Sequence, residues 1–133
     1  MAKGFEKHQA RMAQVNLLGK ELTRRSGSKC ELCEASGVSL SVYEVPPEEE
    51  EPQAESCVFL CQTCRDDLEN PKRLDPAHWR CATKSVWSEV PAVQVMAARV
   101  LDRLGKDELW AREALEDVYF EQEIERWIAE RPL

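Results

Sequence analysis

The chain has 133 residues, of which 43% are hydrophobic and 32% are charged, and its formal net charge is -7. This composition is typical of a soluble globular protein of one modest domain, and no segment is apolar for long enough to predict a membrane span. The acidic balance argues against a general nucleic-acid-binding protein. The first residues lack the apolar run of a signal peptide, so we expect a cytoplasmic protein whose paired cysteines bind metal rather than form disulfides.

The charges are unevenly distributed along the chain. Residues 1–29 contain seven Lys or Arg against two Glu, and residues 44–55 contain six Glu and no basic residue. From residue 100 onward, ten acidic residues stand against five basic ones. Such segments could attract one another within a chain or between chains, but three separately solvated surfaces are the simpler interpretation.

The first predicted element is a basic amphipathic helix within residues 1–26, which the sequence Ser26-Gly27-Ser28 ends. Its predicted buried face consists of Phe5, Met12, Val15, Leu18 and Leu22. His8 lies on or beside this face and is interpreted as a packed side chain. The opposite face carries Lys3, Lys7, Arg11, Lys20, Arg24 and Arg25. A solvated face is the preferred interpretation, and weak, salt-sensitive contact with nucleic acid is the alternative.

Two C-x2-C pairs, Cys30 with Cys33 and Cys61 with Cys64, carry the strongest signal in the sequence. Each pair turns tightly enough to direct two thiolates at one ion, and two pairs complete the tetrahedron that Zn²⁺ prefers. Because protein sulfur would fill all four positions, no position remains for water or substrate. We therefore predict about one structural Zn²⁺ per chain, no catalytic residue and no other cofactor.

Several residues near the pairs have predicted supporting roles. Lys29 and Arg65 flank the pairs and could balance the negative charge of a zinc–thiolate centre, and an ordinary surface position is an equal alternative for both. Glu34 stands where a zinc knuckle often has Gly, so the first turn is expected to be strained or capped differently. Cys57 and Cys81 are interpreted as core residues rather than redox groups or further ligands.

The segment between the two pairs predicts a β-hairpin. Residues 40–45 alternate apolar and polar side chains, and residues 58–60 return as a second strand that leads to Cys61. The intervening run 48–55 is rich in Glu, cannot bury a side chain by composition, and predicts an exposed and mobile loop. A short helix is predicted over residues 65–70, since Asn70-Pro71 stops it.

Residues 71–133 predict a helical segment. Asp75-Pro76 begins a helix that reaches Trp87, and Pro91 begins a second helix that ends at Gly105. Two more amphipathic helices are predicted over 109–119 and 121–129. The expected packing residues are Val93, Met96, Val100, Leu104, Trp110, Leu115, Val118, Ile124, Trp127 and Ile128. His78 and Cys81 have the spacing of half a metal site, but no partner is evident in the sequence and packing is preferred.

The predicted fold class is therefore α+β and mainly α. A small zinc-ribbon or treble-clef-like β-hairpin module is embedded between an N-terminal helix and a C-terminal helical segment. The predicted division is 1–26 for the basic amphipathic helix, 27–70 for the four-cysteine zinc module and 71–133 for the helical segment.

Four stretches resemble the PhnA family, small bacterial zinc-ribbon proteins named after alkylphosphonate utilisation operons. The stretches are Gly27–Cys33, Val42–Pro47, Asn70–Cys81 and Trp87–Val95. The resemblance implies that Cys30, Cys33, Cys61 and Cys64 are zinc ligands, and it implies little about activity because the name records gene neighbourhood. Members usually continue into a C-terminal SH3-like barrel, which we expect this chain to lack because it stops at Leu133.

A weaker resemblance is to HNH endonucleases, in which a cysteine-knuckle hairpin carries a His-His pair on its first strand. Here Tyr43-Glu44 occupies that place, which removes the expected general base. We expect a zinc-binding, non-enzymatic protein that acts through an unknown protein partner or weak nucleic-acid contact, without a membrane. The alternatives are an HNH-like metal-dependent nuclease, with Glu44, Asp66 and Asp67 around a second divalent ion, and an enzyme or accessory protein of phosphonate metabolism.

Overall fold

A computed structural model describes residues 2–133, without the side chains of residues 2, 3 and 5. The fold is mainly helical with one small antiparallel sheet, in agreement with the predicted class. Its elements are α1 (Ala2–Asn16), α2 (Gly19–Ser26), β1 (Leu40–Glu44), β2 (Cys57–Cys61), α3 (Gln62–Glu69), α4 (Ala82–Ser85), α5 (Pro91–Leu104), α6 (Leu109–Glu116) and α7 (Gln122–Glu130). None of the helices in the described range combines the length and apolar character needed to cross a bilayer.

The two strands form the predicted hairpin, in which Leu40 pairs with Cys61 and Glu44 pairs with Cys57. All five residues of β2 are buried, because helices cover both faces of this two-stranded sheet. Cys57 and Phe59 pack in one cluster with Val15 and Leu22 of the N-terminal helices. Val58 and Leu60 pack in the larger cluster, together with the buried residues of α5. The hairpin therefore connects two hydrophobic clusters.

Helix α5 is the centre of the larger cluster. The predicted stripe of Val93, Met96, Val100 and Leu104 is buried, and so are most of the residues between them. Arg99 is also buried, and its guanidinium donates to the carbonyl oxygens of Trp127 (2.6 Å) and Ile128 (3.3 Å). A cation that binds the last carbonyl groups of a helix stabilises the helix, because these groups lack partners and carry partial negative charge. Arg99 thus holds the C-terminal part of α7 against α5.

The N-terminal region differs from the prediction of a single helix. It consists of α1 and α2, separated at Leu17 and Leu18, where the amide of Leu18 bonds to the carbonyl of Val15 at 3.0 Å in a tighter turn. Asn16 and Gly19 flank this break, and both are weak helix formers. The break keeps Val15, Leu18 and Leu22 on the packed side.

Two members of the predicted buried face do not pack as expected. Met12 is 38% exposed, and His8 is exposed rather than packed. Among the described side chains of α1, Val15 is the one hydrophobic residue in the cluster with the hairpin, so positions one and two turns before it lie beyond that contact. The side chain of Phe5, a third member, lies outside the described residues.

The predicted helix from Asp75 to Trp87 is also wrong in its extent. The Asp75 carboxylate does accept the amide of Ala77 at 3.0 Å, as a cap should. However, only a 3-10 turn over His78–Cys81 and the single turn of α4 follow, and Trp87 lies beyond them with 58% exposure. Pro91 restricts the residue before it to extended backbone, so the helix cannot continue into α5.

The Glu-rich loop 48–55 forms hydrogen bonds with the N-terminal helices. The guanidinium of Arg11 donates to the Glu44 carboxylate (Nε to Oε2, 3.1 Å) and to the carbonyl oxygens of Glu49 (2.6 Å) and Glu50 (2.9 Å). Ala54 in the same loop is buried, contrary to the prediction that this run buries nothing. The opposite charges of these two segments therefore attract one another within one chain.

Arg25 forms a second and more buried link. Its guanidinium donates to both oxygens of Glu31 (2.6 and 2.9 Å) and to the carbonyls of Ala54 (2.9 Å) and Cys57 (2.7 Å). The Glu31 carboxylate is only 5% exposed, and it also accepts the amide of Phe59 at 2.8 Å. Arg25 and Glu31 thus connect α2, the first cysteine loop and β2.

We expect Arg25→Met to lower the free energy of unfolding by about 3 kcal/mol, since it leaves the buried Glu31 carboxylate without its cation. Arg24→Met is the matched control, because Arg24 is exposed, and it should change stability by less than about 0.5 kcal/mol. Urea denaturation of the two variants and the unchanged protein measures the difference. Equal effects of the two substitutions would show that the Arg25–Glu31 contact has no structural importance.

Candidate metal centre

The four paired cysteines converge on one point. Their sulfur atoms all lie within 4.8 Å of one another, and the pairs Cys30–Cys64 and Cys33–Cys61 are 3.7 and 3.6 Å apart. A regular tetrahedron with metal–sulfur bonds of about 2.3 Å has edges of about 3.8 Å. The four sulfurs therefore have the spacing of a tetrahedral thiolate site and can hold a metal ion.

Local structure places each sulfur. Cys30 and Cys33 lie in a tight loop after α2, in which the amide of Glu34 bonds to the carbonyl of Cys30 at 2.9 Å. Cys61 is the last residue of β2, and Cys64 lies in the first turn of α3. In both pairs the amide of the second cysteine points at the sulfur of the first at 3.5 Å. Backbone amides of this kind stabilise thiolate charge.

The thiols share their protons unequally. The close contact of the Cys30 and Cys64 sulfurs, 3.7 Å apart, lowers the pKa of Cys30 and, together with burial, raises the pKa of Cys64. Burial and the charge of Cys30 raise the pKa of Cys33. A metal ion would displace the remaining protons, since thiolates are the ligands, and binding would be coupled to proton release.

His78 contacts this centre, although the sequence showed no partner for it. Its Nε2 lies 3.3 Å from the sulfur of Cys64, so the side chain makes a polar contact with the cluster in addition to the predicted packing. The imidazole is not among the ligand atoms that lie within 4.8 Å of one another, which places it beside the tetrahedron at hydrogen-bond distance from one vertex. The ring stands edge-on against buried Trp79, whose indole N–H donates to Asp67 at 2.8 Å.

Lys29 and Arg65 do not have the supporting role that the sequence suggested. Arg65 donates to Ser41 Oγ (3.0 Å), to the carbonyl of Val42 (2.5 Å) and to Glu69 (3.1 Å), and Lys29 is exposed. Arg65 therefore joins α3 to β1 instead of facing the sulfurs. The contacts to the sulfurs come from backbone amides and His78.

The turn of the first cysteine pair has an unusual backbone at Glu34, as the presence of Glu in place of Gly predicted. Glu34 has φ of +66°, in the left-handed region that favours glycine. Its carboxylate pairs with Lys84 at 2.8 Å, but both side chains are more than half exposed, so this pair offsets little of the backbone cost.

The structure does not bring together the carboxylates that a second divalent ion would need. Glu44 is bound by Arg11, Asp66 accepts the side-chain amide of Gln62 at 2.7 Å, and Asp67 accepts from Trp79. Within the described residues, the four cysteines are the one group of three or more potential ligand side chains that converges.

Cys57 and Cys81 lie outside the cluster. Burial raises the pKa of Cys57 to about 12 and that of Cys81 to about 11. At neutral pH both are protonated thiols and poor nucleophiles. This agrees with the interpretation of both as packing residues.

No family model, curated protein or solved structure matches this chain. Function is therefore inferred from the site itself, and the PhnA resemblance stays an expectation.

We expect His78→Ala to weaken the affinity for added Zn²⁺ about tenfold, because groups that hydrogen-bond a metal ligand typically contribute that much. His8→Ala is the matched control, since the other histidine is exposed on α1. Competition with a coloured chelator measures both affinities. An unchanged affinity in His78→Ala would mean that the contact with Cys64 does not support the centre.

We also expect Glu34→Gly to be about 1 kcal/mol more stable than Glu34→Ala, because only glycine relieves the left-handed backbone while both variants lose the contact with Lys84. Urea denaturation at saturating Zn²⁺ makes the comparison. Equal stability would indicate that the loop stores no strain at this position.

Proposed function

We propose that this chain is a zinc-stabilised, non-enzymatic binding protein of the PhnA type, in which Cys30, Cys33, Cys61 and Cys64 hold one structural Zn²⁺. The observation that carries the proposal is the convergence of four sulfurs at tetrahedral spacing. Thiolates in this arrangement prefer Zn²⁺ among the metals of the cell, and they leave no open position on the ion.

The order of elements around the sulfurs supports a treble-clef-like zinc module. A cysteine loop is followed by the β1–β2 hairpin, and the helix after the hairpin contributes the fourth ligand from its first turn. The resemblance to the PhnA family names the same four cysteines. The spatial order of the elements and the sequence strings are independent features, and both support the same four ligands.

A cytoplasmic location is part of the proposal. All six cysteines are free thiols, and unpaired cysteines are typical of a reducing compartment. A non-enzymatic role is proposed because the candidate metal site is closed and the nearest imidazole is bonded to a ligand sulfur.

The proposal predicts about one Zn²⁺ per chain after purification without added metal, and unfolding on metal removal, because binding a structural zinc is coupled to folding. Elemental analysis gives the ratio, and thermal melting with and without a chelator gives the coupling. Cys30→Ser should lose the metal and melt much earlier. Cys81→Ser, which changes a cysteine outside the cluster, is the control and should retain the metal. A folded, metal-free protein would remove the basis of the proposal.

We also predict no hydrolysis of DNA, phosphodiesters or phosphonates, since such chemistry needs an activated nucleophile or an open metal site. The assay incubates the protein with plasmid DNA and a simple phosphonate in Mg²⁺, Mn²⁺ or Ni²⁺. Activity that persists through purification and disappears in Glu44→Ala would favour the HNH-like alternative instead.

A further inference from the structure

A large groove lies on a part of the surface that contains none of the four cysteines. It has a volume of about 760 Å³ and lies between residues 47–49 after β1, residues 89–91 at the start of α5, and α7. Pockets that bind ligands typically have volumes of about 300–1,000 Å³. The groove is therefore large enough to accept several residues of a peptide.

The floor of the groove is apolar and held in place. Trp127 and Ile124 of α7 and Val90 before α5 line it, and all three are partly buried. The indole N–H of Trp127 donates to the carbonyl of Pro46 at 3.2 Å, and the backbone carbonyl of Trp127 accepts from Arg99 at 2.6 Å. A floor that is formed before binding reduces the entropy cost of association.

The walls of the groove are strongly acidic. Seven glutamates line it, and none of them forms an ion pair in the part of the chain that the structure describes. Glu121 and Glu123 lie at the start of α7, where the helix dipole favours acidic residues, but Glu48, Glu55 and Glu89 belong to other segments. Three separate segments thus present carboxylates to the same space.

Arg25 is the one basic residue that lines the groove. Its guanidinium already donates to the Glu31 carboxylate and to two backbone carbonyls, so it does not neutralise the walls. Clefts lined by one sign of charge concentrate the field and favour ligands of the opposite sign. An anionic ligand, such as a nucleic-acid backbone, is repelled here.

We propose that this groove binds a basic peptide segment of a partner protein, with an apolar side chain on the Trp127–Ile124 floor and Lys or Arg side chains against the glutamates. The partner is identified by charge complementarity together with the apolar floor, which a compact inorganic cation would leave uncovered. This inference rests on the proposed binding role and names the class of its partner. It does not depend on which metal the cysteines hold.

The test uses the full chain and a fluorescent nonapeptide with three lysines around one central phenylalanine. Fluorescence anisotropy at low and physiological salt measures binding. Two reference peptides, one with glutamine for each lysine and one with glycine for the phenylalanine, should both bind more weakly. Equal binding of the glycine peptide or of spermine would overturn the proposal in favour of a site for simple cations.

The decisive variants are Glu89→Gln/Glu123→Gln/Glu130→Gln in the groove and Glu113→Gln/Glu116→Gln/Asp117→Asn on and after α6. Each triple variant removes three negative charges, so general electrostatic attraction changes equally in both. The groove variant should lose at least about tenfold in affinity, and the control less than about twofold. Equal losses, or no binding by the unchanged protein, would overturn the proposal.

Thermal melting and metal content of the same variants separate this inference from the proposed function. The groove variant should keep its metal and its melting temperature. Trp127→Phe supplies a second test, since it should weaken binding of the phenylalanine peptide while the glycine peptide is affected less. An equal effect on both peptides would contradict the role of the apolar floor.

Discussion

The convergence of four sulfurs is the constraint on which the rest of the structure depends. Two of them come from a loop after α2 and two from the end of the hairpin and the start of α3. Sulfurs spaced at 3.6 to 3.7 Å cannot all carry charge unless a cation is shared between them. A bound metal would therefore fix the first cysteine loop against β2, and β2 is the strand on which both hydrophobic clusters pack.

The hairpin illustrates how a small sheet can be buried on both faces. An isolated two-stranded sheet is marginally stable in water, because it has no third strand and neither face is covered by a second sheet or a helix. Here the N-terminal helices cover Cys57 and Phe59, while α5 covers Val58 and Leu60. The Arg25–Glu31 pair also binds the backbone of β2, since Arg25 donates to the carbonyl of Cys57 and Glu31 accepts from the amide of Phe59. Metal site, hairpin and helices are thus mutually dependent parts of one fold.

The sequence predicted the features that local chemistry determines. The C-x2-C spacing predicted the cluster, strand alternation located β1 and β2 to within one residue, and helical spacing found the buried stripe of α5. It did not predict what tertiary contacts decide. The 3-10 turn that carries His78 to Cys64 depends on how Trp79 packs against Asp67, and nothing in the local pattern encodes that contact. The division at Leu17 was also missed, because the apolar spacing of Val15, Leu18 and Leu22 continues across it, although Asn16 and Gly19 are weak helix formers.

The proposed positive charge of the partner is inferred from which charged side chains are already paired within the chain. By count, residues 1–29 are the basic part of the chain, and the sequence offered them as an alternative site for weak nucleic-acid contact. In the structure Arg11 and Arg25 are bonded to Glu44 and Glu31, so two of the seven basic residues of that segment are already paired. The glutamates of the groove have no such partners within the described residues, and they surround an apolar floor. Internal pairing thus reduces the basic surface and leaves the carboxylates of the groove without ion pairs in the described part of the chain, which supports the proposal of a cationic partner over a nucleic acid.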